Sequence, residues 1–285
     1  MCQAASKKNT FTLMKKKISI IGCGWLGKAI AKVLLNEGFT VDGSTTQKEN
    51  LIELKSMGIN PHQIQLSNGG VFGKLLPLFE EASIVILAFP PGLRRNLNAD
   101  YAARVNHVLK VIPKHFDGKI IHLSSIGVFG TTQGIVSEGS VPRPESAVGK
   151  ALLKAEAHIK NFSALATVVR LGGLVGDGRH PARQLAGKTN ISAPKAPINL
   201  VHQKDVVSFL VKLIQGNNWG DTLHCVSPIH TERATYYTHE CLENNLAKPI
   251  FSEEESTRTK NVIDTKSENL LGFNYQLPNC GIQDG

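Results

Sequence analysis

Ile18-Ser-Ile-Ile-Gly22-Cys-Gly24-Trp-Leu-Gly27 is the stretch on which the fold turns. A β-branched run at 18–21 meets a glycine-rich turn. Beyond it Leu26, Ile30, Val33 and Leu34 recur at i, i+4, i+7 and i+8, the spacing of one helix face. Gly38 stands where a helix C-cap belongs, and Phe39-Thr-Val41 reads as a second strand. In Gly-x-Gly-x-x-Gly the first glycine permits the tight turn, the second lets backbone approach a pyrophosphate, and the third lets helix and strand pack closely. The helix N-terminus adds unpaired N–H groups and positive potential. Set in a βαβ unit, the motif predicts a dinucleotide site on Gly22, Gly24, Trp25, Leu26 and Gly27; a glycine turn without a ligand is the competing reading.

The alternation continues outward. Helices near 48–57, 72–80, 98–112 and 145–160 take turns with strands at 62–66, 83–89, 119–124 and 166–171. That order predicts an α/β fold, a Rossmann-type doubly wound parallel sheet covered on both faces. Beyond about Gly172 the rhythm loosens into Gly-, Pro- and His-rich loops with a helix at 204–215, a strand at 222–226 and a helix at 234–244. The expected organisation is an NAD(P)-binding domain over 14–171 and a small C-terminal substrate-binding or lid subdomain over 172–285, partly interleaved with the sheet. Residues 1–13 are expected to be a disordered tail or an over-extended start, with Met14 as a natural beginning. No repeat or low-complexity segment interrupts the pattern.

Composition narrows the function classes. The 285 residues carry 32 Lys plus Arg against 23 Asp plus Glu, a formal charge of +9. Five of those charges are Lys7, Lys8, Lys15, Lys16 and Lys17, in a segment without acids, so a basic face on the folded body is not established. Without aromatic–basic interleaving or a recognisable module, a nucleic-acid partner is not expected. The apolar runs fall far short of the roughly 18 residues a membrane-spanning helix needs. The cysteines are odd in number and never spaced C-x-x-C, which argues against a zinc site or disulfide framework and fits a reducing, cytoplasmic setting.

Cofactor choice turns on the end of the second strand, Val41-Asp-Gly-Ser-Thr-Thr-Gln47, where NAD-binding proteins place an acid for the ribose 2′-OH. Asp42 lies inside the strand and could point away. Ser44, Thr45 and Thr46 donate hydrogen bonds and do not repel a phosphate, so NADP is favoured over NAD. Phe89 and Pro90, at a strand's carboxyl end, are expected to line the cofactor site or simply to close the strand. In Gly176-Asp-Gly-Arg-His-Pro181, Arg179 and His180 are candidate substrate contacts, with Lys188 shortly after; the planar fork of Arg179 suits an anionic small molecule, and a solvated loop arginine is the alternative. His202 and Asp205 read as orienting a helix start.

His122-Leu-Ser-Ser-Ile-Gly-Val-Phe-Gly130 resembles the S-S-x-x-V-Y-G segment of the extended short-chain dehydrogenase/reductase superfamily. Arg170-Leu-Gly-Gly-Leu-Val-Gly176, Asn199-Leu-Val-His-Gln-Lys-Asp-Val-Val207 and Lys266-Ser-Glu-Asn-Leu-Leu-Gly-Phe273 match further family segments. The glycine turn, Gly176–Pro181 and Leu185-Ala-Gly-Lys188 look like the atypical YeeZ-like branch. The resemblance covers nearly the whole chain from Met14 and implies a Rossmann-type domain with a small substrate domain. It also places Ser125 at the position of the catalytic serine, although a serine capping a turn satisfies the same residues.

One departure is as informative as the match. Active members carry Tyr-x-x-x-Lys about 25 residues after the serine, the tyrosine moving the proton. Aligning Glu156 with the family's glutamate puts Val148 and Leu152 at those positions. Ser146 with Lys150, and Lys150 with Lys154, share helix faces but read more simply as surface residues. Two functions follow: an NAD(P)-dependent oxidoreductase or epimerase-like enzyme with a nonstandard acid/base, or a non-enzymatic NADP-binding redox sensor or regulator.

Overall fold

The computed structural model describes residues 16–92, 100–253 and 257–282. The tail at 1–13, Met14, Lys15 and the start of the helix expected at 98 lie outside the described residues. Seven strands, β1 (Lys17–Ile21), β2 (Thr40–Thr45), β3 (Asn60–Gln63), β4 (Ala82–Leu87), β5 (Lys119–Ser125), β6 (Thr167–Leu171) and β7 (Thr222–Cys225), form one sheet in the order β7-β6-β5-β4-β1-β2-β3. Every pairing in it is parallel. Strand order reverses beside β1, and ligands of such sheets bind outside the carboxyl ends at that point.

Each face is covered as apolar patterning demands. On one side α1 (Trp25–Asn36) buries Gly27, Ile30, Ala31 and Leu34 and shares a core with Val206, Phe209, Leu210 and Leu213 of α6 (Gln203–Gln215). On the other, α3 (Tyr101–Val111) and α4 (Ala147–Phe162) pack Val105, Val108, Leu152 and Ile159 against Val85, Leu87 and Ile120. Ile18, Ile20, Ile30 and Leu34 are at most 1% exposed, and burial of such a side chain contributes about 1.5–3 kcal/mol.

Two local expectations are corrected. The stretch 72–80 is not a helix: Gln65–Ser67 and Gly70–Phe72 make a short hairpin, and only a 3₁₀ turn forms at Leu76–Leu78. Gly73 explains the break, because its φ is +101° and a Cβ there would meet the Gln63 carbonyl oxygen at 2.2 Å. The strand expected at 62–66 starts earlier, at Asn60, and ends at Gln63. The connecting α2 is Asn50–Ser56.

The sheet is not complete at residue 171. Its edge strand β7 and the helix α6 both come from later sequence. A smaller core joins α5 (Pro181–Leu185) and α7 (Arg233–Glu243) to the strand pair Gly173–Val175 and Leu200–His202, where Val175, Ala182, Ile198 and Leu200 meet Tyr236, Tyr237 and Cys241, while Leu271 of α8 (Ser267–Leu271) packs in the core of the sheet. Cys23, Cys225, Cys241 and Cys280 are free and buried. Among the described residues no helix is long and apolar enough to cross a membrane.

Candidate functional site

The glycine turn caps the carboxyl end of β1. Gly22 has φ +106°, and a Cβ there would lie 2.7 Å from the Phe89 nitrogen, so the turn and the end of β4 press together. A Cβ on Gly27 would meet the Gly22 carbonyl oxygen at 2.4 Å, which sets how closely α1 sits on the turn. Gly24 is different: it is exposed, adopts φ −84°, and a Cβ would meet nothing within 4 Å. Bare backbone thus faces open space at the start of a helix whose first turn has no acid. Trp25 and Leu26 begin that helix half-buried.

Ser44 serves the turn from below. Its Oγ accepts from Gly22 N at 3.0 Å and its carbonyl from Cys23 N at 2.7 Å. Expected as a direct cofactor contact, it is 3% exposed and supports the loop. Thr45 Oγ1 accepts from Gln47 N at 3.3 Å and Asn50 Nδ2 at 3.4 Å. Asp42 is turned away: Lys17 Nζ lies 3.0 Å and His62 Nε2 3.1 Å from Oδ2, and Asn60 Nδ2 donates to Oδ1 at 3.1 Å. Although burial opposes it, hydrogen bonds from His62, Lys17 and Asn60 leave the carboxyl below its ordinary range. The exposed residues past β2 are therefore Thr46, Gln47, Lys48 and Glu49, and Lys48 is a cation that sequence reasoning passed over as a helix start.

Phe89 and Pro90 follow β4. Phe89 packs edge-on to Tyr101 with ring centroids 5.4 Å apart, and its carbonyl accepts from the Tyr101 hydroxyl at 3.4 Å. Pro90 is exposed. Tyr101 in turn stacks at 6.0 Å on His122 of β5.

Ser125 ends β5 and caps the 3₁₀ turn Ile126–Val128, its Oγ accepting from Gly127 N at 3.1 Å. The start of α4 lies against this turn: a Cβ on Gly149 would meet the Gly127 carbonyl at 2.3 Å, and Leu152 Cδ1 lies 3.8 Å from the Cβ direction of Gly127. Val148 and Leu152 are therefore on the helix that faces Ser125, and neither can move a proton. Ser146 is the N-cap of α4, accepting from Gly149 N at 3.0 Å, while Lys150 and Lys154 are exposed. None of the four tyrosines lies on α4, and burial raises the hydroxyl pKa of Tyr101, Tyr236, Tyr237 and Tyr275. Lys260, missed by sequence reasoning, donates from Nζ to the carbonyls of Ile126 and Phe129, each at 3.2 Å, and burial lowers its pKa. Its partners lie far back in the chain, and no local pattern marks it.

Beneath the turn, Glu156 accepts from Ser124 Oγ at 2.6 Å and from Arg170 Nε and Nη2, the latter at 2.7 Å. Arg170 also lies over the Phe129 ring at 5.1 Å. Beside this ion pair His122 is fully buried, with neither ring nitrogen hydrogen-bonded, and burial pushes its pKa down to about 4. His180 is also lowered to about 4 by burial. In the unfolded chain both take up protons near pH 6.5, and in the native protein they do not until near pH 4. Stability is thus full above about pH 6.5 and lost as pH falls toward 4, at about 1.4 kcal/mol per unit of depression. Urea midpoints measured from pH 7 to pH 4 should fall steeply, and less so in His122→Leu.

The C-terminal subdomain contributes Arg179. Its guanidinium lies over the Trp25 ring at 5.1 Å, so this residue joins the glycine turn and not the Ser125 turn. His180, expected as a substrate contact, is 3% exposed, Nδ1 accepts from Ala182 N at 3.2 Å, and Nε2 meets the Tyr236 hydroxyl and the Cys280 carbonyl. Lys188 is exposed. His202 caps α6 by accepting from Lys204 N, while Asp205 accepts from Gln276 N and Leu277 N and ties down the chain's last described segment. Among the described residues no cluster of metal-ligating side chains forms.

A glycine turn at the head of a seven-stranded parallel sheet, with a serine turn two strands away, defines a Rossmann-type fold. Protein YeeZ of Escherichia coli (strain K12) is 31% identical over 270 residues, spanning 92% of this chain and 97% of its own. The chain belongs to the family of Protein YeeZ. No protein-family model matches it. Among solved structures, UDP-glucuronic acid 4-epimerase from Bacillus cereus in complex with NAD superposes with a TM-score of 0.72 at 17% identity, covering 93% of this chain and 95% of that one. A short-chain dehydrogenase/reductase superfamily protein from Agrobacterium tumefaciens with bound NAD gives 0.73 at 14% identity, covering 91% and 92%. These likenesses show the fold.

Proposed function

We propose that the protein binds NADP at the Gly22–Gly27 turn and acts as an oxidoreductase or epimerase-like enzyme on a small molecule. The observation that carries this is Gly24: bare, exposed backbone at the head of α1 with open space where a side chain would stand. Gly22, Gly24 and Trp25 would hold the cofactor's phosphates, Leu26 and Gly27 keep α1 seated, and Phe89 and Pro90 line the neighbouring strand end. When bound, the cofactor supplies hydride transfer. Ser125 would orient a substrate carbonyl or hydroxyl, and Lys260 stiffens the turn that follows it.

NADP is favoured over NAD because Asp42 is tied to Lys17, His62 and Asn60, leaving Thr46 and Lys48 at the strand end. Titration calorimetry should show NADP binding more tightly than NAD. Lys48→Ala should weaken NADP by about tenfold, the loss of one charge-assisted contact, with little change for NAD. Equal affinities in both proteins would overturn the assignment.

Apolar Val148 and Leu152 beside Ser125 favour a second reading, a non-enzymatic dinucleotide-binding regulator. The four cysteines among the described residues are buried, and burial raises Cys23 and Cys280 to about 12 and also raises Cys225 and Cys241, so none of these four suits a thiol-based sensor. Incubation with NADPH and a panel of carbonyl compounds separates the readings: hydride exchange that is lost in Ser125→Ala supports the enzyme, and binding without exchange supports the regulator. The expected setting for either is the cytoplasm.

A further inference from the structure

Arg179 closes a tight turn in which Gly176 N donates to the Arg179 carbonyl at 3.0 Å and Arg179 N to the Gly176 carbonyl at 2.8 Å. The turn is pressed on the glycine motif. A Cβ on Gly176 would lie 3.1 Å from the Trp25 ring, Gln203 Nε2 donates to the Trp25 carbonyl at 3.0 Å, and the Arg179 guanidinium covers the ring at 5.1 Å. Trp25 is thus held from three sides by later sequence.

Asp177 shares this turn, but the guanidinium has no ion-pair partner among the described residues. Arg179 is exposed, and the first turn of α1 has no acid. A cation and the positive end of a helix lie side by side next to the open backbone of Gly24, an arrangement that an anion between them relieves. Ser125 heads β5, two strands from β1 and so about 10 Å away at the usual strand spacing. The arrangement therefore favours an anion at the glycine turn, beside Gly24 and Trp25.

We infer that Arg179 is the lid clamp of the dinucleotide, closing the 176–181 turn on its pyrophosphate with the face of Trp25 as its seat. The inference rests on the dinucleotide reading above and adds to it a route by which cofactor occupancy reaches the C-terminal subdomain. The planar fork of the guanidinium suits two phosphate oxygens at once, and the ring holds it in place without neutralising it.

Calorimetric titration with NADP, NAD and ADP-ribose, which keeps the pyrophosphate but lacks nicotinamide, tests it on the full chain. Arg179→Ala should weaken all three alike, by about tenfold, and Arg179→Lys should recover part of the loss. In a Trp219→Phe background, where Trp25 is the sole tryptophan, ADP-ribose should shift the emission, and the added Arg179→Ala change should abolish the shift. Equal thermal midpoints confirm that the exposed substitution leaves the fold intact. If Arg179→Ala binds all three ligands as the unchanged protein does, the clamp is overturned and the dinucleotide site stands. If the unchanged protein binds none of them at millimolar concentration, the dinucleotide reading fails and the clamp with it.

Discussion

Glu156→Ala is expected to cost about 3–5 kcal/mol, a large share of the 5–15 kcal/mol typical of a folded domain. Glu156 and Arg170 have side-chain exposures of 2% and 4%. Removing the carboxylate leaves a guanidinium in a low-dielectric interior, orphans the Ser124 hydroxyl that donates to Glu156, and opens a void beneath the serine turn. The pair itself is not expected to be a large net stabiliser, because desolvating both ions offsets most of their attraction. Changing both residues to methionine should therefore be much milder than either single loss. Chemical denaturation of the two single variants and the double variant checks this; additive costs would show that the pair is not coupled.

Gly24→Val and Gly27→Val are expected to abolish dinucleotide binding for different reasons. At Gly27 the new side chain collides with the Gly22 carbonyl, so α1 must move off the turn, and stability should fall by about 1–3 kcal/mol along with binding. At Gly24 the side chain enters open space at an ordinary φ. Stability should change by less than about 1 kcal/mol, yet the branched group occupies the approach to the helix N-terminus. Melting curves and calorimetry on both variants distinguish a site that needs bare backbone at Gly24 from a glycine turn that merely folds. Unchanged binding by Gly24→Val would sink the proposed site.

How much was legible follows from how local each signal is. The strand–turn–helix at 17–36 was readable because glycine spacing and helical periodicity lie within one short segment. The false helix at 72–80 had apolar residues at plausible intervals, but Gly73 takes a left-handed φ that a helix cannot use. Which way Asp42 points depends on Lys17, Asn60 and His62, which parallel pairing brings in from the strands on either side. The hydrogen bonds that hold His180 were not legible, because Tyr236 and Cys280 lie 56 and 100 residues further on. Arg179 was recognised as an anion-binding type, but its seat on Trp25 is a tertiary contact that no local pattern announces.

The late origin of the edge strand also matters in time. Synthesis from the N-terminus delivers β1 to β6 first, with the outer side of β6 an unpaired strand edge until β7 has been made. Such an edge is a template for pairing with other chains. A truncated or stalled product that stops between Leu171 and Thr222 would expose it, and so would be more prone to aggregate than one that ends beyond Cys225.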